Sequence, residues 1–72
     1  MRVKATATQE KELREKLGKL KEALRTAKTP EEKAKAFRSM AKVRGALSAV
    51  VRSRKYGTTV EESLISEAIK DP

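Results

Sequence analysis

Thr29-Pro30-Glu31-Glu32 is a helix start written in four residues. Thr29 supplies an N-cap hydroxyl, Pro30 takes the first helical position with its φ already set, and Glu32 stands where it closes a capping box. From there the chain runs without a breaker to Tyr56, and Gly57 then offers the left-handed conformation on which helices end. The punctuation predicts a long helix over 30–56. Glu31 and Glu32 in its first turn and Arg52, Arg54 and Lys55 in its last turns are the charges the helix macrodipole favours, so they have a structural reason to be there.

Upstream of this signal, Leu13, Leu17, Leu20, Leu24 and Ala27 recur at spacings of 4, 3, 4 and 3, which places them on one stripe of a helix. Glu10/Arg14, Glu12/Lys16 and Glu15/Lys19 are i,i+4 pairs in the favourable order, and Thr6 with Gln9, or Thr8, can cap the start. A helix over about 8–28 follows. Gly18 falls opposite the leucine stripe, where it disturbs no packing. Downstream, Thr59 and Glu62 stand in capping-box register, and Val60, Leu64, Ile65, Ala68 and Ile69 form an apolar face, which predicts a helix over about 59–70.

The short gap between the first two helices is of the length that joins antiparallel neighbours. The expected fold is therefore all-α: an antiparallel helical hairpin of two long helices plus a shorter third. Residues 8–72 would make a single helical domain and residues 1–7 a flexible basic arm. Leu13, Leu17, Leu20, Leu24, Phe37, Met40, Leu47, Val51, Leu64 and Ile65 are the expected core.

At 72 residues the chain has room for one small domain, and eighteen Lys and Arg against ten Asp and Glu give a net charge of +8. That balance points to a polyanionic partner, nucleic acid first. Histidine and cysteine are absent, which removes the usual zinc, haem and thiol chemistry and any disulfide framework. No cofactor, metal or catalytic residue is expected. Phe37 and Tyr56 are the only aromatics, too few for a platform that stacks several bases, so duplex is favoured over single strand. The first eight residues lack the apolar stretch of a secretory signal, and the longest apolar run, Ala49-Val50-Val51, is far too short to span a bilayer. A cytoplasmic protein without a membrane partner is expected.

Charge is unevenly placed. Residues 1–28 carry nine basic and four acidic groups, residues 29–57 eight and two, and residues 58–72 one and four. No acidic residue lies between Lys33 and Val60. Advancing 100° per residue from Phe37, the apolar group Ala36, Phe37, Met40, Val43, Leu47, Val50 and Val51 covers about 220° to 360°, while Lys35, Arg38, Lys42 and Arg52 fall between about 60° and 160°. Arg38 and Arg52 are separated by about 21 Å along the axis, enough to follow several phosphates. The expected contacts are Lys35, Arg38, Lys42, Arg52, Arg54 and Lys55.

A solvated Lys/Arg face is the plain alternative, but such faces usually mix signs as the first helix does. Gly45 in mid-helix costs about 1 kcal/mol relative to Ala, which points to a close approach, by a neighbouring helix first and by a phosphate second. Arg44 and Arg54 intrude on the apolar arc: either they snorkel along the core rim, which is the favoured expectation, or they mark a polar contact across an interface. Tyr56 is expected to pack over the turn at Gly57.

Tyr56-Gly57-Thr58-Thr59 could form the turn of a helix-turn-helix, but Glu61 and Glu62 at the start of the third helix would repel the phosphates flanking a groove. With neither a glycine-rich phosphate loop nor histidine, the sequence indicates no enzyme. It reads as a small nucleic-acid-binding or regulatory protein contacting DNA or RNA phosphates through the second helix. The rival is a protein-interaction module, a small regulator or inhibitor docking its basic hairpin on an acidic protein surface. A homodimer is expected from the small core, since pairing two hairpins adds burial without adding sequence.

Overall fold

A computed structural model of the chain describes residues 1–70. Strand β1 (Arg2–Lys4) leads into helix α1 (Ala7–Thr26), which a tight loop joins to α2 (Pro30–Tyr56); β2 (Thr59–Glu61) and α3 (Glu62–Lys70) follow. The molecule is a rod of 41 × 18 × 15 Å. Its length is that of α2, whose 27 residues rise about 40 Å at 1.5 Å each.

The all-α hairpin follows from its end signals. Thr6 accepts from the Gln9 N–H at 3.2 Å while the Gln9 side chain accepts from the Thr6 N–H at 2.9 Å, so of the two caps open to α1 the Thr6/Gln9 box is the one used. Thr29 accepts from the Glu32 N–H at 3.2 Å, but Glu32 Oε2 reaches past the cap to the Lys28 N–H at 3.1 Å, so no reciprocal box forms there. Gly57 adopts φ +70° and its N–H donates to the Ser53 carbonyl at 2.8 Å, closing α2 as expected. Helix α1 ends two residues before position 28, with Ala27 already extended.

Residues 1–7 are not an arm outside the domain. β1 pairs antiparallel with β2 in the register Arg2 to Glu61, Val3 to Val60 and Lys4 to Thr59. The expected third helix therefore starts at Glu62 rather than 59, because Val60 is buried against the core as a strand residue beside Val3. Arg2 reinforces the ribbon, donating to the Thr59 carbonyl at 2.8 Å and to Oγ1 at 3.0 Å, and the Met1 ammonium meets Glu61 at 2.8 Å. The Glu61 carboxylate lies below its ordinary range because it accepts that hydrogen bond, and the Met1 ammonium is raised by the same contact. Ser53 rivets the ribbon to α2, accepting from the Ala5 N–H at 3.1 Å and donating to the Thr58 carbonyl.

The buried face of α2 keeps Ala36, Met40, Val43 and Val50 of the expected one but is turned from it by about 70°. Ala36, Ser39, Val43, Ala46, Val50 and Ser53 are all buried, a run spaced 3, 4, 3, 4 and 3 that packs opposite the leucine stripe of α1. Bulk on α1 meets small residues on α2. The buried arc is thus centred near about 220° on the same wheel, and the larger side chains of α2 move to its edge. Leu47 and Val51 are half-buried, and Phe37 is 62 % exposed rather than in the core. Leu13, Met40 and Ile65 are buried as expected, Leu17, Leu20 and Leu24 are half-buried, and Leu64 is exposed at the surface of α3.

Helix α3 seats Ile65 and Ala68 on the hairpin, with Ile69 packed beside them, and Lys16 Nζ donates to the Ile69 carbonyl at its C-terminus. Its nine residues reach only about 13 Å, so it covers the end of the hairpin that carries the ribbon. Beyond it the cleft between α1 and α2 stays open as a groove of about 360 Å³ lined by Leu20, Ala23, Ala27 and Ala36, with Glu32 and Lys35 on its rim.

Candidate nucleic-acid interface

With the buried arc of α2 centred near about 220°, its outward direction is near about 40°. Arg38, Lys42 and Arg52 lie to one side of that line, and Lys33, Arg44 and Lys55 to the other; all are exposed. Cationic side chains therefore flank both sides of the outward face, from Lys33 to Lys55 over about 33 Å of helix. The absence of any acid between Lys33 and Val60 leaves this half of α2 without a carboxylate of its own.

Of the expected contacts, Arg38, Lys42 and Arg52 come together on one flank, and Lys35 stands further round, on the rim of the groove. Lys55 is on the opposite flank, with its ammonium 5.4 Å from the Tyr56 ring centroid. Tyr56 does not pack over the turn: it is 68 % exposed, carried outward beside Lys55. Arg54 is engaged elsewhere. It crosses from α2 to α1 and donates to Glu10 Oε1 at 3.0 Å, while Arg14 donates to the other carboxylate oxygen at 3.2 Å. The Arg54 hydrogen bond, opposed by partial desolvation and aided by Arg14, holds the Glu10 carboxyl below the ordinary carboxylate range. Arg54 is thus a strut between helices rather than a snorkelling rim residue.

Arg44 and Lys33, which were not among the expected contacts, belong to the second flank. The signal that could have found them was the run of small residues on the inner face, since placing Ser39, Ala46 and Ser53 inward turns Arg44 outward. Between the flanks runs a line of low relief, Ala34, Ala41, Gly45 and Ser48, all exposed, with Phe37 standing above it. A Cβ added at Gly45 would meet nothing within 4 Å. No described helix of this chain approaches Gly45 closely, so packing against a described helix does not account for it.

Among the described residues, no group of three or more His, Cys, Asp or Glu could hold a metal ion. No described helix is long and apolar enough to cross a membrane. Comparison with known proteins finds no matching family model, and no similar curated protein or solved structure.

Proposed function

We propose that this protein binds nucleic acid by laying the outward half of α2 along phosphates, with Arg38, Lys42 and Arg52 on one flank and Arg44 and Lys55 on the other. The observation that carries the reading is the acid-free array itself: exposed cations along about 33 Å of a rigid helix, with small residues between them that let a backbone approach. Lys35 extends the array toward the groove. Arg54 contributes field but not a free guanidinium. Contacts of this kind position a polyanion and read little sequence, and the chain has no Asn and a single Gln to recognise base edges.

Titration of duplex DNA and RNA at several salt concentrations tests this. Affinity falls steeply as salt rises, and Arg38→Ala with Arg52→Ala weakens binding and lowers the salt slope by about one for each phosphate that is no longer neutralised. Absence of binding at low ionic strength sinks the reading.

The second reading is the protein-interaction module in the cytoplasm, docking on an acidic protein surface. The open apolar groove at the loop end favours it, whereas α3 does not, because Ile65 and Ala68 are committed to its own hairpin. Partners captured equally well after nuclease treatment would support it. Under either reading two hairpins can pair to cover exposed apolar surface, and a sedimentation mass that rises above 8.0 kDa with concentration is the expected sign.

A further inference from the structure

Phe37 is the one phenylalanine of the chain, and the fold leaves it out of the core. Its neighbours Ala36 and Met40 are buried, so the helix is anchored at this point without it. One turn away on the outward face stand Ala34 and Ala41, too short to cover a ring. Lys33 lies one turn before it, Arg38 beside it and Arg44 two turns after it, all exposed and all in the acid-free run.

An exposed ring surrounded by cations selects its occupant by charge. A second copy would bring like charge against Lys33, Arg38 and Arg44. A lipid surface needs an apolar stripe, and this face offers one large apolar side chain among alanine, glycine and serine. A nucleic-acid base has a π-face for the ring and phosphates on both sides for the cations.

We propose that Phe37 is the platform on which one unpaired base of a bound nucleic acid stacks, with Lys33, Arg38 and Arg44 holding the flanking phosphates. This rests on the nucleic-acid reading and deepens it: one ring serves one base, so the preferred ligand is a duplex carrying a bulged base rather than a uniform duplex.

The test compares a fully paired oligonucleotide duplex with one of the same sequence carrying a single bulged base, titrated across salt concentrations with the full chain and with Phe37→Ala. The bulged duplex binds the wild-type chain more tightly, and Phe37→Ala loses about 10-fold on it while leaving the paired duplex and the salt slope unchanged. Thermal melting of Phe37→Ala matches the wild type, since the ring is outside the core. Equal binding of both duplexes by the wild-type chain, or a bulge preference that survives Phe37→Ala, overturns the inference and leaves the phosphate contacts standing. A large fall in melting temperature also overturns it, by showing the ring to be a packing residue. Binding to neither duplex at low salt overturns the nucleic-acid reading itself.

Discussion

At the ribbon end of the hairpin, Leu13, Val43 and Val50 are sealed beneath the β1–β2 pair and α3, which contributes Ile65, and Ser53 ties three segments together with two hydrogen bonds. At the loop end, no other described element lies over the same two helices: Leu20 and Leu24 are half-buried, and a groove runs between Ala23 and Ala36. Both halves carry the same seam of leucine against small residues. What separates them is the third layer. A helical hairpin alone hides one stripe of each helix, and a short chain supplies a lid for only part of its length.

The largest expected effect breaks this contrast if it is absent. Leu13→Ala empties a fully buried site and costs about 2–5 kcal/mol in chemical denaturation, whereas Leu24→Ala, at the half-buried loop end, costs less than half as much. Equal costs would mean that the lid adds nothing to the seam. Ser53→Ala leaves the Ala5 N–H and the Thr58 carbonyl without their partner and costs about 1–3 kcal/mol, with faster amide exchange in β1 as its local sign. Exchange that speeds instead at Ala23 or Ala36 would place the rivet's influence at the wrong end.

Gly45→Ala sharpens the contrast between inner and outer faces of α2. The added methyl enters open space on a regular helix and raises stability by about 1 kcal/mol, read as a higher denaturation midpoint. If the same variant binds nucleic acid less well, the glycine is there for the backbone that lies on it. The smallest effect concerns Glu10. Its carboxyl is depressed in the folded chain, so the stabilisation it gives is present above the ordinary Glu range and is lost as pH falls through the folded value. Glu10→Gln therefore lowers stability near neutral pH and flattens its decline in acid, measured by thermal melting from pH 7 to 3.

The helices were legible because their ends are chemical events. Thr6, Thr29 and Gly57 each serve a backbone group that the helix itself cannot satisfy, and such residues announce themselves in the chain. The ribbon was not legible. Arg2-Val3-Lys4 and Thr59-Val60-Glu61 each offer a single apolar residue, too short a pattern to show a period, and the capping-box letters at Thr59 and Glu62 pointed to a helix instead. The inner face of α2 was misplaced for a different reason. Weighing side chains by size put Phe37 inward, but a seam already filled by leucines from α1 has room for Ala46 and Ser53 and not for a ring. The candidate interface inherits that error: Arg38, Lys42 and Arg52 fall on the expected arc, while Arg44 and Lys33 were hidden by the rotation and Arg54 by its partner on another helix.

A seam repeating every seven residues has a weakness that its good packing conceals. Sliding α1 along α2 by one heptad, about 10 Å, sets leucines against alanine, serine and valine once more, so the inner surfaces alone define the alignment poorly. The three residues of β1 act as a latch against such slippage. They bind Val3 to Val60 in one fixed pairing while the tight turn before Pro30 fixes the opposite end, so that two stops, neither of them in the seam, set how the two long helices are aligned.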